Sequence, residues 1–459
     1  MHYRDGALTY SPTDLSRWSA SPYASWMARL AIERPDIAPE KDAPDAMLDR
    51  LAGRGLVHED TLETRFRDEG REVVNVATRL DEPFDAGDAA PAADRIGLTL
   101  ALMSAGTDVI AQGTLVSGPF CGHADFLVKV PGASALGDFH YEVWDTKLAR
   151  RVKPGMVLQL CCYVDMLAAV QARRADDLVI ALGNGREQRV PLVDCFDYYV
   201  AVRDAFLVEQ RGWSPEPEPH PADHGNHGNF STYAQGLLEA CDHLGRVARI
   251  SRRQIERLER AGIRTMTALA EASDHEVPGI DARKLDWLVR QAALQCASVP
   301  GEVPAHHVHA ADADDAVGLA ALPDPSPLDV FFDIEGFPLE GDGLEYLWGC
   351  TYHDDGERVF RDWWAHDTRA ERRAYEGFID WVHARWRADP AMHVYHYAPY
   401  EITACKRLTG THGTRETELD DLLRNGVFVD LYAIVTHGLQ VGEPRYSIKN
   451  VGPLFLADA

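Results

Sequence analysis

Two strand-like runs, "GHADFLVKV" (122–130) and "FHYEVWDTK" (139–147), flank the turn-rich segment "PGASALGD", and this pattern constrains the fold of the chain more than any other. A turn-rich break between two such runs suits a β-hairpin. Asp125 and Asp145 are equidistant from Ala135, the middle of the break. In a hairpin without bulges they face each other across the two strands. Lys147 lies two residues beyond Asp145 and shares its face. Two carboxylates and an ammonium then converge at one spot. Close carboxylates repel unless a cation lies between them, and hard cations such as Mg²⁺ or Mn²⁺ take oxygen ligands. Such an ion lowers the pKa of bound water and steadies charge on a phosphate. Lys147 would orient the water or stabilise the transition state. Taken alone, a DxK pair is also what an ordinary surface ion pair looks like.

The hairpin belongs to an α/β unit expected over residues 1–212. "SPTDLSRW" starts a helix with Ser11 as N-cap and Asp14 three residues on. "DAMLDRLAGRGLVHEDTLETRF" is a second helical stretch and supplies His58, a further candidate ligand. A strand, "DVIAQGTLV", precedes the hairpin. After it come the helix "GMVLQLCCYVDMLAAVQARR" and the strands "DLVIALG" and "REQRVPLV". Gln159 and Tyr163 are four apart on that helix and share a face.

Residues 213–235 are rich in Pro, His and Gly and read as a linker. His220, His224 and His227 within it are a possible zinc set, though a polar linker explains them as well. Residues 236–300 read as a small helical hairpin domain with turns at Gly262 and Gly279, able to offer backbone amides to a phosphate or to serve as a spacer. Residues 301–326 form a second, acidic and Ala/Pro-rich linker. A further α/β unit covers residues 327–459. Its first strand, "VFFDIEG", places Asp333 and Glu335 on one face. Paired acids at the end of an apolar strand are what a two-metal nuclease needs for its first ligands. Glu401 enters a helix after the strand "MHVYHYA" and is a third candidate acid.

The fold class expected is therefore α/β and multi-domain. At 459 residues, 46% hydrophobic and 26% charged, the composition is that of a folded soluble protein. The net charge of −26 excludes a basic coat for nucleic acid, but a local positive groove suffices for phosphate contacts. The eight cysteines include no CxxC pair, so neither a zinc ribbon nor a disulfide framework is expected. No signal segment opens the sequence and no apolar run is expected to span a membrane. A cytoplasmic protein with no membrane partner is the expectation.

The ordered set His58, Gly122 to Asp125 (GxxD), Asp145 and Lys147 (DxK), and Gln159 with Tyr163 (QxxxY) resembles the RecB-like branch of the PD-(D/E)xK nucleases, over roughly residues 11–200. The resemblance implies a restriction-endonuclease-like domain and metal-dependent hydrolysis of DNA. It implies that His58, Asp125 and Asp145 hold Mg²⁺ or Mn²⁺, that Lys147 acts on the water, and that Gln159 and Tyr163 serve the active-site helix or the DNA strand. Arg150, Arg151 and Lys153 would lie beside the site, as backbone contacts or as a solvated basic loop. Many relatives carry an iron–sulfur cluster. Here Ser21 stands in the N-terminal cysteine slot and no cysteine lies between Cys195 and Cys241, so no cluster is expected. The middle segment is similar to a helix–hairpin–helix module. Residues 327–459 resemble an RNase H-like fold of the DEDD exonuclease type, with Glu401 where an aspartate is usual, Asp430 at a recurrent structural position, and the fourth acid missing as if the unit were truncated. The combination resembles the bacterial RecB-like putative nuclease family, whose longer members continue into a helicase. The expected function is a metal-dependent DNA nuclease acting on single strands or ends in repair or defence, with a helicase in cis beyond residue 459 or in trans. The alternatives are a non-catalytic module that tethers nucleic acid to a helicase, and a ribonuclease or exonuclease acting through the RNase H-like unit.

Overall fold

The computed structural model describes residues 1–4, 6–79, 93–273, 275–310, 317–338 and 343–455. The expected linker over 301–326 therefore falls partly outside the described residues. The chain divides into two compact units, Met1–Leu237 and Leu238–Ala459, and mixes helices with several sheets.

In the first unit, six strands among the described residues form one sheet. Its order is Val73–Asn75, Val109–Ser117, Phe120–Ser134, Gly137–Lys147, Asp177–Leu182 and Glu187–Pro191. Alternation along these strands sorts side chains onto two faces. Ile110, Leu127, Tyr141, Val143 and Ile180 join a core with the helix Pro154–Gln171. Ala111, Phe126, Val128, Trp144 and Val179 pack with Leu62 and Phe66 of the helix Ala46–Asp68. The helix Pro12–Ala20 starts on the expected capping box of Ser11 and Asp14.

The helix Pro154–Gln171 is long and apolar enough to cross a membrane, by length and composition alone. The sequence reading expected no such run. The helix buries Leu158, Leu160, Cys161, Cys162, Val164 and Leu167 in the first unit, and its apolar character matches that position between sheet and neighbouring helices. Its last residue, Gln171, is fully buried, accepts from Tyr141 N–H (2.8 Å) and donates to the Tyr141 carbonyl (3.1 Å). One amide thus ties the helix end to the strand Gly137–Lys147. Gln171→Leu leaves both backbone groups buried and unpaired, so we expect a loss of about 2–3 kcal/mol, read by denaturant unfolding.

Residues 213–235 pack within this unit. Phe230 and Ala234 share a buried cluster with Tyr23, Met27 and Leu30. Trp26 Nε1 donates to the Ser214 carbonyl (3.1 Å), and the Ser231 and Thr232 N–H groups donate to Asp42. His227 Nε2 is 2.9 Å from the Pro221 carbonyl oxygen.

The second unit contains the helices Arg252–Arg260, Met266–Ala270 and Ala282–Ala297, closed around Leu244, Leu258, Ile263, Leu269, Leu285 and Leu288. Its main sheet, among the described residues, runs Glu357–Trp364, Leu344–Asp354, Val330–Phe337, Val394–His396 and Phe428–Asp430. The first three are antiparallel neighbours and the last two join in parallel. The helix Thr368–Ala388 covers one face, where Phe332 stacks on Phe378 with centroids 4.1 Å apart. On the strand Val330–Phe337, buried and exposed residues alternate, so Phe331, Asp333 and Glu335 point to the other side.

Candidate active sites

In the first unit, the hairpin pairs Phe126 with Trp144 and keeps that register to Pro131 and Phe139. A shift occurs only near the turn, between Pro131 and Ser134. Asp125 and Asp145 are the next residues toward the open end, just beyond the last paired residues. Thr146 donates to Asp125 Oδ2 through its N–H (2.8 Å) and its hydroxyl (2.9 Å). Asp145 is buried, and its Oδ2 lies 2.5 Å from Lys147 Nζ. Burial first, and Asp125 second, push the Asp145 carboxyl up to about 7, against the pull of Lys147. Burial works against the Lys147 ammonium as well, but Asp145 and Asp125 outweigh it and hold the amine above its ordinary value.

The helix Ala46–Asp68 contributes Glu59 rather than only His58. Burial and the nearby Asp125 push the Glu59 carboxyl up to about 7. Gln112 donates its amide to Glu59 Oε1. Gln112 stands beside Asp125 on the adjoining strand, because Ala111 pairs with Phe126 and Gly113 with Ala124. Its φ of 53° breaks the strand's alternation. His58 Nε2 lies 3.2 Å from the Ala181 carbonyl oxygen, which occupies that nitrogen. Glu59 and Gln112 were not foreseen from the sequence. A signal for Glu59 existed: it precedes Leu62 by three and Phe66 by seven, so it continues the buried stripe of the helix.

Tyr163 donates to the His123 carbonyl (2.5 Å) and is hydrogen-bonded to Gln159. Burial chiefly, with Asp125 and Asp145 nearby, holds its phenol protonated. A Cβ at Gly122 would stand 2.8 Å from Pro12 and 3.0 Å from Tyr163 Oη. The glycine of GxxD therefore makes room for the tyrosine of QxxxY. A cavity of about 820 Å³ opens beside Gln159 and Tyr163, with Arg17 and Lys41 also on its wall. Arg150, Arg151 and Lys153 are exposed on the segment between the strand ending at Lys147 and the helix starting at Pro154.

In the second unit, Glu401 is buried in the first turn of the helix Tyr400–His412 and faces Asp333. Burial, Glu401 and Glu335 push the Asp333 carboxyl up, against one N–H bond from Ile334. His396 Nδ1 lies 3.4 Å from Glu401 Oε2 and 2.8 Å from the Ala398 carbonyl oxygen. Burial lowers the imidazole, but Glu401 and that carbonyl outweigh it, so its pKa is raised. Ala398 sits at φ 77° and donates its N–H to Asp430 Oδ1 (2.9 Å). The same oxygen caps the helix Leu431–Gly438 through Tyr432 N–H. Asp430 thus holds the strained turn that presents Glu401. A buried Glu345, unforeseen, accepts from Tyr400 Oη (2.9 Å) and Arg407 Nη2 (2.5 Å) beside the strand irregularity at Glu335 and Gly336.

Among the described residues, no three or more His, Cys, Asp or Glu side chains form a ready-made metal site. The donor chemistry still suits a hard cation in the first unit. Asp125 lies beside Asp145 and helps raise its carboxyl, and Asp145 Oδ2 has Lys147 but no properly directed hydrogen bond. Mg²⁺ needs only one or two protein carboxylates and keeps several waters.

The protein-family model described as RNase_H superfamily matches residues 330–458. The match identifies an RNase H-like domain there and points to nuclease-type chemistry in general. A search of curated proteins finds no match to the chain.

Proposed function

We propose that the protein is a metal-dependent nuclease whose phosphodiester hydrolysis runs at Asp125, Asp145 and Lys147. The observation that carries this reading is the buried Asp145, held near neutrality beside Asp125 with Lys147 at 2.5 Å. The order of His58, GxxD, DxK and QxxxY, which resembles the RecB-like PD-(D/E)xK nucleases, supports it. Asp125 and Asp145 would hold Mg²⁺ or Mn²⁺. When bound, such an ion lowers the pKa of water and offsets charge at the phosphate. Lys147 places a fixed positive charge where the transition state gains negative charge. Glu59, poised near neutrality and oriented by Gln112, accepts the proton of the attacking water. Tyr163, whose phenol lies near Asp125 and Asp145, and Gln159 orient the strand to be cut from the cavity they line. The substrate is DNA, as single strands or ends, in repair or defence, with a helicase as partner.

A second reading rests on the RNase_H superfamily match and the Asp333–Glu401 contact. In it, the RNase H-like domain hydrolyses DNA or RNA through Asp333, Glu335 and Glu401. Cleavage of DNA and RNA by Asp145→Ala and Asp333→Ala, with Mg²⁺ or Mn²⁺, separates the two. Loss of DNA cleavage only in Asp145→Ala supports the first reading. Loss only in Asp333→Ala moves the chemistry to the second unit, and no cleavage by the unaltered protein leaves a tethering module.

A further inference from the structure

The sheet of the second unit exposes rings on one face, from its central strand Val330–Phe337 to its edge strand Glu357–Trp364. The register sets three rows across the strands on the face of Asp333. Phe331 pairs with Thr351, which pairs with Phe360. Asp333 pairs with Gly349, which pairs with Asp362, and Glu335 pairs with Leu347, which pairs with Trp364. Phe331, Phe360 and Trp364 are 48%, 61% and 52% exposed. Phe331 also stacks on Tyr395 of the neighbouring strand, with centroids 5.3 Å apart and planes 21° apart. Arg358 ends the same row of the outer strand, two residues before Phe360.

Large rings left in water forgo burial energy, so three of them exposed on one sheet face call for an occupant. A dry protein interface is depleted of charge at its centre, but here Asp333, Glu335, Asp362 and Arg358 stand among the rings. Rings spaced by polar groups on an open sheet are what unpaired bases stack on. Phe360 and Trp364 are about 13 Å apart along their strand, and Phe331 is about 10 Å from Phe360 across two strand spacings. Each ring therefore serves a separate base. Gly349 adds a specific device. A Cβ there would stand 3.2 Å from Phe360 Cζ, so the missing side chain leaves the ring free to lean toward Asp333.

We infer that this face is a stacking platform for the unpaired bases of a single-stranded nucleic acid, laid so that its backbone passes Asp333 and Glu335. The inference rests on the second reading above, in which those acids are hydrolytic, and it names the substrate of that site as single-stranded. Arg358 contacts a phosphate at the edge of the platform.

The test uses the full chain, with Ca²⁺ in place of Mg²⁺ to withhold cleavage. The probes are a short oligothymidylate, the same strand with abasic sites, the RNA equivalent, and an oligothymidylate bearing one iododeoxyuridine for photo-cross-linking. We expect cross-links in the peptide 357–364, at Phe360 or Trp364. Phe360→Ala and Trp364→Ala should each weaken binding of the intact strand by about five-fold to a hundred-fold. Abasic strands should bind the unaltered protein weakly and lose little more in the variants. Phe360→Tyr should restore stacking. Cross-links that miss residues 357–364, or ring removal that costs intact and abasic strands equally, would overturn the platform. So would loss of self-association rather than of oligonucleotide affinity, which assigns the face to a second copy of the chain. If Asp333→Ala cleaves normally while the cross-links still fall on Phe360, the hydrolytic reading fails and the platform stands as a binding surface.

Discussion

Asp145→Asn is expected to yield a protein that cuts about a thousand-fold more slowly and yet is more stable above neutral pH. The rate loss follows from removing one of two carboxylates that would hold the ion, at several kcal/mol of transition-state stabilisation. The stability gain follows from the site's own repulsion. The folded-state carboxyl of Asp145 stands at about 7, against 3.8 ordinarily. A raised acid binds its proton more tightly in the folded state. Its contribution to stability is therefore full below about 4 and is lost as pH rises through about 7. Glu59 adds to the same window, from 4.5 up to about 7. With a chelator present, thermal melts of the unaltered protein should fall in temperature as pH climbs through this range. Asp145→Asn should flatten that decline, by on the order of 1 kcal/mol or more at about pH 8. Mn²⁺ should raise the melting temperature of the unaltered protein by mass action and leave the variant nearly unmoved. A variant that still cuts at the normal rate, or a melting temperature that rises with pH in chelator, would remove this carboxyl from the chemistry.

The second large effect is at a position with no reactive group. Gly183 directly follows the strand Asp177–Leu182, which pairs with the strand of Asp145 and Lys147, and a Cβ there would stand 2.5 Å from the Leu148 carbonyl oxygen and 2.9 Å from Leu148 Cα. These are backbone atoms and cannot rotate aside. Leu148 directly follows Lys147, so the clash must displace the segment that aims the ammonium. Gly183→Ala is expected to cost about 1–3 kcal/mol of stability and, through a misplaced Lys147, about a hundred-fold in turnover. Gly97→Ala is the matched control. It lies in the helix Ala93–Ala105 with nothing within 4 Å of the added carbon, so it should stabilise by about 0.5–1 kcal/mol with unchanged turnover. Denaturant unfolding and steady-state cleavage read both variants. Equal behaviour of the two would mean that the Gly183 contact yields without moving Lys147.

The difference between what was legible in the sequence and what was not follows from locality. The hairpin register could be counted, because strand pairing across one turn depends on residue spacing alone, and the observed pairing of Phe126 with Trp144 leads directly to Asp125 and Asp145. The helix start at Ser11 was readable for the same reason, since a cap acts within a few residues. His58 drew attention as a ligand type. Yet the buried stripe of its helix brings its neighbour Glu59 to Asp125, while His58 Nε2 meets a carbonyl of another strand. Gln112 was invisible because its left-handed backbone overrides the alternation that a strand reading assumes.

The sequence by itself determined which residues could pair locally and which carboxylates, amines and rings the chain has to offer. Only the tertiary structure decided their electrostatic state and company. Burial, which no spacing rule reports, raises Asp145 and Glu59 toward neutrality. Register across non-adjacent strands sets Phe360 and Trp364 beside Asp333 and Glu335 on an open face. Both depend on which distant segments exclude water from a side chain, and that is a property of the packed molecule.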